Sequence, residues 1–439
     1  MIKQYSKYKD SEVHWLGKVP EHWKVKRVKD VAKKMGSGVT PKGGSESYKT
    51  TGITFLRSQN VYDNGLKLDN VSYIDSETHQ KMQNSQIKPL DILINITGAS
   101  IGRSCIVPDS LEEANINQHI LYLRASKELV PFISLYIKSN LIKDYINLIQ
   151  SGSSREGLSM GETRQFSIPL PPIQEQKQIA DYLEKKTTAI DKKIDLLEQK
   201  IEHYQNLRKS LINETVTKGL DKNVKLKDSG IEWIGQIPEH WEVKRIKDLF
   251  KTLSGGTPST KNSSFWTGAI PWIPSGAIQN NNVNKEIVKH YISEEALNRS
   301  STKLASKGSV LIALTGATCS NVGFLNFDTT INQSIVSMTS SEKNIYNRYY
   351  YYYLMSKRES IRALMTGGAQ EGINQGNVRH LKVCFFSREE QQQIADYLDT
   401  KTQTIDTIID TIKDQIITLK ELRKTLINDV VTGKIKVTA

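Results

Sequence analysis

The sequence predicts an α+β protein in which two similar mixed α/β domains are separated by two long helices. The helices are expected to form an antiparallel coiled coil with pseudo-twofold symmetry. Three observations predict this: the chain's length, motifs that occur twice, and two heptad stretches. With 439 residues, the chain exceeds the size near which single domains stop growing, about 250–300 residues. We expect domains over residues 1–173 and 223–388, and helices within 174–222 and 389–439.

Motifs in the first half of the chain return in the same order in the second half. Residues 15–30 read WLGKVPEHWKVKRVKD, and residues 233–248 read WIGQIPEHWEVKRIKD. The matches continue with Thr-Gly-Ala at 97–99 and 315–317, Asn-Gln at 117–118 and 332–333, and QIADYL at 178–183 and 393–398. Other stretches differ strongly, such as 45–49 and 262–266. This pattern indicates one scaffold with two different readouts, although a duplication kept for stability alone would also produce it.

The two heptad stretches predict long helices. Pro171 and Pro172 precede the first stretch and Gly219 follows it, so a helix is expected over residues 174–217. About 44 helical residues would span roughly 65 Å. Matching seam positions hold Thr187 with Thr402 and Arg208 with Arg423, where polar groups fix register or face a further partner. Packing of each helix on its own domain is the alternative. The predicted helix-packing residues are Leu183, Ile190, Ile194, Leu197, Ile201, Tyr204 and Leu211, with Leu398, Ile405, Ile409, Ile412, Ile416, Leu419 and Leu426 in the second helix.

The composition favours a polyanionic partner and argues against secretion. The formal net charge is +13, which suits binding to phosphates but is also compatible with a merely solvated surface. Cys105, Cys319 and Cys384 are too few for a disulfide framework, so we expect buried thiols in a reducing cytoplasm. No apolar run approaches the ~20 residues that span a bilayer. A cytoplasmic protein without membrane contact is therefore expected.

The sequence shows no pattern typical of a catalytic or metal site. Residues 43–50 lack the second glycine of a phosphate-binding loop. Leu170-Pro171-Pro172-Ile173 has neither the amide nor the aromatic ring with which adenine methyltransferases hold a flipped base. The histidines lack metal-ligand spacing. His22 and His240, inside the repeated Pro-Glu-His-Trp segment, are expected to pack or to form hydrogen bonds.

Glycine-rich loops carry amide, hydroxyl and guanidinium groups of the kind that bind base edges, since Arg pairs with guanine and Asn or Gln with adenine. For each of these residues, a role in a turn or a helix cap explains the residue type at least as well as a base contact does. Residues shared by both halves, such as Asn117 and Asn332, are expected to be mainly structural. Lysines and arginines would position phosphates rather than specify bases. The candidate DNA-contacting residues are Lys49, Arg57, Ser58, Gln59, Asn60, Thr97, Ser100, Arg103, His119 and Arg155, with Lys261, Ser275, Gln279, Asn280, Thr315, Thr318 and Ser334 in the second half.

The duplicated motifs resemble those of the specificity subunits of type I restriction-modification systems, over essentially the whole chain. The motifs are Trp-x-Gly-x-x-Pro-Glu-His-Trp, the Thr-Gly-Ala loop with a downstream Asn-Gln, and Pro-Pro-x-x-Glu-Gln-x-x-Ile-Ala-x-Tyr-Leu at the entry to a long helix. One departure is visible, because residues 385–390 enter the second helix without the double proline. The sequence therefore does not predict the structure of the first turn of that helix.

The resemblance implies a non-catalytic subunit with two target-recognition domains, each reading half of a bipartite, asymmetric site in double-stranded DNA. It implies two methyltransferase subunits that bind S-adenosylmethionine, and endonuclease-translocase subunits that use ATP and magnesium. The chain itself would bind no cofactor. Two alternatives remain at this point: a coiled-coil scaffold with non-specific DNA affinity, and a DNA methyltransferase or nuclease with an unrecognised site.

Overall fold

The computed structural model describes residues 3–150, 157–340, 342–364 and 372–437. The chain divides into two compact units, Met1–Leu197 with Lys413–Ala439, and Glu198–Ile412. Each unit contains one globular module, the first over residues 3–172 and the second over residues 219–387, together with part of each long helix.

The first module alternates short strands with short helices. Its strands are β1 (Tyr8–Asp10), β2 (Lys18–Pro20), β3 (Lys24–Arg27), β4 (Lys34–Ser37), β5 (Ile53–Leu56), β6 (Val61–Tyr62), β7 (Gly65–Leu66), β8 (Ser72–Ile74), β9 (Gln86–Ile87), β10 (Ile92–Asn95), β11 (Ser104–Ile106), β12 (Ala114–Ile116), β13 (Ile120–Arg124) and β14 (Ser167–Leu170). Its helices are α1 (Val28–Val31), α2 (Ser76–Lys81), α3 (Val130–Ile137), α4 (Asn140–Gln150) and α5 (Met160–Gln165), with 3₁₀ turns at Gly44–Ser47, Ser58–Asn60, Gln83–Ser85 and Gly98–Ser100. The long helix α6 (Ile173–Lys218) follows.

The second module repeats this order and leads into the long helix α12 (Arg388–Val431). Its strands are β15 (Leu226–Asp228), β16 (Gln236–Pro238), β17 (Glu242–Arg245), β18 (Lys251–Ser254), β19 (Ile270–Ile273), β20 (Asn281–Val283), β21 (His290–Ile292), β22 (Leu304–Ala305), β23 (Val310–Ala313), β24 (Val322–Leu325), β25 (Thr329–Ile331), β26 (Ile335–Thr339) and β27 (Lys382–Phe385). Its short helices are α7 (Ile246–Leu249), α8 (Glu294–Arg299), α9 (Asn347–Ser356), α10 (Arg358–Arg362) and α11 (Gln375–His380), with 3₁₀ turns at Ser263–Trp266, Ser275–Ala277, Lys285–Ile287 and Gly316–Thr318.

Each module is built on two principal sheets. In the first module the orders are β11-β10-β13-β4 and β8-β5-β12-β9; in the second they are β18-β26-β23-β24-β20 and β21-β19-β25-β22. One parallel pair lies inside the second sheet of each module, β5 with β12 and β19 with β25. All four residues of β10 are buried, with Ile92 and Ile94 in one hydrophobic cluster and Leu93 in another. The central strand is therefore covered on both faces, which explains its uninterrupted apolar run.

The two long helices pack antiparallel within each unit. In the first unit, Leu183 belongs to the same hydrophobic core as Ile427, and about two turns further along α6, Asp191 pairs with Arg423, Nε to Oδ1, at 2.9 Å. In the second unit, Arg208 pairs with Asp406 at 3.1 Å. Every predicted helix-packing residue is buried or half-buried. The α+β class, the duplicated modules and the long helices agree with the sequence prediction, and α6 extends one residue beyond the predicted 174–217 at each end.

The repeated Pro-Glu-His-Trp segment holds the first turn of each long helix. In the first unit, His22 Nε2 lies 2.8 Å from Glu175 Oε2, and the buried Trp23 indole donates to Glu175 Oε1 at 3.2 Å. In the second unit, His240 and Trp241 contact Glu390 in the same way, at 3.0 and 3.2 Å. The hydrogen-bonding role expected for these histidines is what the structure shows.

The missing double proline does not alter the entry to α12. Phe386 stacks on Trp241 with ring centroids 3.7 Å apart, and the Ser387 hydroxyl accepts a hydrogen bond from the Glu390 amide at 3.3 Å. Gln391 donates to the Phe386 carbonyl at 2.8 Å, as Gln176 donates to Pro171 at 2.8 Å. A stacked ring and a hydroxyl cap replace the two prolines.

The sequence also predicts helical stretches from Phe132 to Ile149 and from Asn344 to Met365, and each is broken in two. The stretch from Phe132 to Ile149 forms α3 and α4, interrupted at Lys138 and Ser139. The Ser139 hydroxyl donates to the Tyr136 carbonyl at 2.6 Å, which offers the backbone an alternative to the helical ladder. The stretch beginning at Asn344 forms α9 and α10, and the end predicted for it, Met365, lies outside the described residues.

Candidate nucleic-acid interface

Four loops of the first module converge at one edge of its sheets. Because β5 and β12 are parallel with Leu56 opposite Ile116, their carboxyl ends meet, and the Asn117 amide donates to the Leu56 carbonyl at 3.0 Å. Beside them, the Ile96 amide donates to the His119 carbonyl at 3.0 Å. Loop cluster 1 consists of residues 38–40, 57–60, 97–100 and 117–119.

The second module forms an equivalent edge. Ile273 of β19 lies opposite Ile331 of β25, and the Asn332 amide donates to the Ile273 carbonyl at 3.1 Å. The Leu314 amide donates to the Ser334 carbonyl at 2.9 Å. Loop cluster 2 consists of residues 255–257, 274–278, 315–318 and 332–334.

Some contacts are the same in both clusters and belong to the scaffold. Thr40 donates to Gln118, and Thr257 donates to Gln333. Asn117 Oδ1 accepts the His119 amide, as Asn332 Oδ1 accepts the Ser334 amide, both at 3.2 Å.

One glycine in each cluster allows close packing of backbone on backbone. A Cβ on Gly38 would lie 2.1 Å from the Ile116 carbonyl oxygen, and one on Gly255 would lie 2.2 Å from that of Ile331. Only glycine fits at these positions. The clusters therefore have the same backbone framework.

The side chains on this framework differ. Arg57 and Pro274 precede the equivalent 3₁₀ turns Ser58–Asn60 and Ser275–Ala277. The Arg57 guanidinium lies 5.8 Å from the centre of the Tyr48 ring, and its Nε is buried without a hydrogen-bond partner among the described residues. A proline can donate no hydrogen bond, so the two clusters present different chemistry at this position.

A second difference lies after β12 and β25, where the first module has His119 and the second has Ser334. His119 Nδ1 is 2.6 Å from the Thr97 hydroxyl. His119 Nε2 is 3.2 Å from Gln118 Nε2. An amide nitrogen only donates, so Gln118 Nε2 donates to this imidazole nitrogen.

Most candidate DNA-contacting residues lie in these clusters with side chains at least partly exposed. These candidates are Arg57, Ser58, Gln59, Thr97, Ser100 and His119 in loop cluster 1, and Ser275, Thr315, Thr318 and Ser334 in loop cluster 2. A DNA duplex lying against the clusters would therefore contact different side chains at equivalent positions of the two modules.

Two candidates are used by the fold instead. Asn60 is 2% exposed; its Oδ1 accepts the Arg57 amide at 2.9 Å and its Nδ2 donates to the Lys67 carbonyl at 3.0 Å. Asn280 has a φ of 56°, and its Oδ1 accepts the Val322 amide at 2.9 Å. Both side chains close a turn in this structure, and their assignment to base contact stays a prediction.

Two other candidates lie outside the residues that define the clusters, although Gln279 directly follows loop cluster 2. Arg103 lies over the Tyr62 ring at 5.1 Å and lines a groove with Asp191 and Asp195 of α6. The exposed Gln279 donates to the Gly276 carbonyl at 2.9 Å.

Lys49 and Lys261, two candidate phosphate contacts, lie outside the residues that define the clusters. Lys49 is exposed, with Nζ 4.0 Å from Asp75 Oδ2. Lys261 is exposed. Arg155 lies outside the described residues.

Sequence reasoning missed Asn95 and Asn321, two buried asparagines whose side chains donate hydrogen bonds to residues of the loop clusters. The available signal for Asn95 was a polar residue ending the apolar run Ile92–Asn95.

Among the described residues, no group of three or more His, Cys, Asp or Glu side chains could hold a metal ion. No helix in the described part of the chain is long and apolar enough to cross a membrane.

Comparison with known proteins identifies the family. The family model for the type I restriction modification DNA specificity domain matches twice, over residues 20–203 and 238–418. The chain belongs to this family. Each match begins within one module and extends into the long helix that follows it. The chain is accordingly a DNA sequence-recognition subunit of a type I restriction-modification system, and not its catalytic component.

Relatives and solved structures agree with this family. The putative type I restriction enzyme MjaX specificity subunit of Methanocaldococcus jannaschii is 24% identical over 446 aligned positions, covering 100% of this chain and 99% of the relative. The EcoR124I/EcoR124II specificity subunit of Escherichia coli is 28% identical over 59% of this chain and 60% of the relative.

Two solved structures share the fold. A chain from a structural study of assembly and conformational transition of the type I system has a TM-score of 0.75 at 16% identity, covering 95% of this chain and 99% of that one. The HsdS subunit from Thermoanaerobacter tengcongensis has a TM-score of 0.55 at 15% identity, covering 95% and 98%.

Proposed function

We propose that each module reads one half of a bipartite, asymmetric sequence in double-stranded DNA through its own loop cluster. The observation that carries this proposal is the pair of clusters with one backbone framework and different side chains, Arg57 and His119 against Pro274 and Ser334. Equivalent frameworks favour equivalent docking on DNA, whereas different side chains select different bases.

The long helices have two further roles in this proposal. They act as a spacer that fixes the length of unspecified DNA between the half-sites, since α6 contains 46 residues and a helix of that size is about 70 Å long. They also dock two methyltransferase subunits that carry S-adenosylmethionine, with endonuclease-translocase subunits using ATP and magnesium. Assembly with other subunits of the type I system follows from the family; this composition is the proposal.

Methylation mapping tests the recognition proposal directly. The complex of this chain with its partner subunits is expected to methylate adenines within one asymmetric, two-part sequence with a fixed gap. Exchanging residues 15–173 for the corresponding module of a relative should change one part of that sequence and leave the other intact. A change in both parts would contradict the assignment of one half-site to each module.

A binding titration separates this proposal from its two rivals. The purified chain should bind duplex DNA with a steep salt dependence, because lysines and arginines displace counterions from phosphates. A scaffold whose charge is incidental would bind weakly at all salt concentrations. Methylation or cleavage by the chain without partners would instead reveal an enzyme.

A further inference from the structure

One buried asparagine lies beneath each loop cluster, and the two occupy different positions of the duplicated fold. Asn95 is the last residue of β10, and Ala313 is the last residue of β23. The Asn95 amide donates to the Arg103 carbonyl at 2.8 Å, and the Ala313 amide donates to the Asn321 carbonyl at 2.9 Å. Ala313 is therefore the counterpart of Asn95, and Arg103 is the counterpart of Asn321.

Asn95 joins two turns of loop cluster 1. Its side chain is fully buried, at 0% exposure. Nδ2 donates to the Ser58 carbonyl at 2.8 Å and to the Ser100 hydroxyl at 3.0 Å. The turn Ser58–Asn60, which follows Arg57, is thereby tied to the turn Gly98–Ser100.

The other amide atom of Asn95 indicates that this residue does not serve stability alone. Its Oδ1 is buried and has no hydrogen-bond partner in the described part of the chain, and an unsatisfied buried acceptor destabilises the folded state. The alanine at the equivalent position of the second module has no such group. The fold therefore accepts a small apolar residue here, and the amide must be explained by the turns that it holds.

Asn321 makes the corresponding contact in loop cluster 2, from a different position of the fold. Its side chain is 4% exposed, and Nδ2 donates to the Ile278 carbonyl at 2.9 Å, immediately after the turn Ser275–Ala277. Oδ1 accepts a hydrogen bond from Arg358 Nε at 2.8 Å. The turn that follows Pro274 is thus held at its end, whereas its counterpart in the first module is held at its start.

We propose that Asn95 and Asn321 are positioning residues for base recognition, each acting only on the half-site read by its own module. The inference rests on the proposed function. Reading a base edge requires the contacting group to be held within roughly 0.5 Å. Without its amide tether, the first turn would present Arg57 and Ser58 over a wider range of positions, and discrimination between bases would fall.

Isosteric substitutions give the sharpest test. In Asn95→Asp a carboxylate oxygen would face the Ser58 carbonyl and could not donate to it. Asn321→Asp makes the same change at Ile278 while it preserves an acceptor for Arg358. If the aspartate variant does not fold, Asn95→Ala provides a second test, because alanine is the residue at the equivalent position 313 of the second module.

The measurement is base preference at every position of both half-sites, using the complex of the full chain with its partner subunits and a library of randomised targets. We expect Asn95 variants to lower discrimination about tenfold, the size of one lost hydrogen bond with its desolvation penalty, in the first half-site only. Asn321→Asp should do the same in the second half-site only. A folded variant with wild-type discrimination at its own half-site, or equal loss at both, overturns the proposal.

Asn115→Ala controls for loss of stability. Asn115 is also 0% exposed, but its Nδ2 donates to the Met82 carbonyl at 3.1 Å and to the Ser85 hydroxyl at 2.8 Å, which lie outside loop cluster 1. This variant should melt earlier with unchanged base preference; relaxed preference like that of Asn95→Ala would overturn the proposal. A wild-type complex without a two-part target would instead contradict the proposed function.

Discussion

Arg57 and Pro274 precede equivalent 3₁₀ turns, and the arginine alone can donate hydrogen bonds to a base edge. A guanidinium pairs in two places with guanine, at O6 and N7. The Tyr48 ring beside Arg57 restricts the positions that its side chain can adopt. Arg57 therefore combines chemical difference between the modules with a limited range of orientations.

Replacing this arginine should affect one part of the target. In Arg57→Ala we expect discrimination at one base position of the first half-site to fall tenfold or more, since a good bidentate contact contributes about 1–3 kcal/mol. Methylation of a randomised target library measures this. Lys49→Ala is the control, because an exposed lysine outside the cluster should leave base preference unchanged. Altered preference in the second half-site would contradict the prediction.

Two cysteines should be chemically inert in the folded protein. Burial raises the pKa of the Cys105 and Cys384 thiols to about 12. Because the protonated thiol is the favoured form, only about one molecule in 10,000 carries either thiolate at pH 8. A disulfide-exchange reagent at pH 8 should label these two residues only after denaturant is added. Rapid labelling of Cys384 without denaturant would show that the core around α9 opens.

At the level of secondary-structure elements, the first turns of the long helices depend on one carboxylate each. In the described residues, Glu175 accepts hydrogen bonds from the Tyr5 hydroxyl at 2.5 Å and the Trp23 indole at 3.2 Å, besides its His22 contact. Among the described residues, the Glu390 carboxylate has only the contacts with His240 and Trp241. The Glu175 carboxylate thus accepts one hydrogen bond more from its module, that of Tyr5.

This difference predicts unequal losses of stability. Glu175→Ala should lower the free energy of unfolding of the first unit by about 2–3 kcal/mol, since hydrogen bonds to charged groups contribute about 1.5–3 kcal/mol. Glu390→Ala should cost the second unit less. Urea unfolding, followed separately in each unit by hydrogen exchange, compares the two. Equal losses would mean that the Tyr5 contact contributes nothing.

The Arg423–Asp191 and Arg208–Asp406 pairs are ion pairs without a well-directed hydrogen bond. Each Arg Nε is close to a carboxylate but makes no hydrogen bond to any described residue. The aspartates are 48% exposed, so solvent screens the attraction. A double-mutant cycle on Arg423→Ala and Asp191→Ala should give a coupling energy of about 0.5 kcal/mol. A coupling several times larger would show that these pairs stabilise the helices rather than select their register.

The elements were predicted unevenly, for physical reasons. Heptad spacing and a terminal glycine identify α6 because they are local properties of the chain. The break between α3 and α4 could not be predicted, because Ser139 is also compatible with a continuous helix until tertiary packing favours its bond to Tyr136. The closure of α12 by Phe386 stacking on Trp241 is likewise a long-range contact.

Across the whole molecule, the spacer role of the helices predicts a change in the target's gap. One heptad inserted after Leu197 in α6 and one after Ile412 in α12 would keep both seams in register. Seven residues add about 10 Å of helix, close to three base pairs of DNA at ~3.4 Å each. Methylation mapping should show an altered gap with both half-sites intact. Loss of sequence preference at either half-site would contradict the spacer role.

The sequence predicted which loops form the candidate interface better than it predicted the contacts of individual residues. Internal duplication and differing loops were sufficient to identify two candidate reading surfaces. The sequence did not show whether an asparagine faces outward. Asn60 and Asn280 have the residue type expected for base contact, but their side chains close turns of the protein. Asn95 was missed for the opposite reason, since a buried residue was not considered for a recognition role.

The discontinuity of the first unit has a consequence for biosynthesis. Ile427 and Val430 of α12 belong to the same core as Trp23, so this core includes residues that are translated after the second module. A ribosome must therefore synthesise the second module before the core of the first module closes, while the second unit, Glu198–Ile412, is contiguous and can close earlier. Termination before Ile427 would consequently expose apolar surface on the first module.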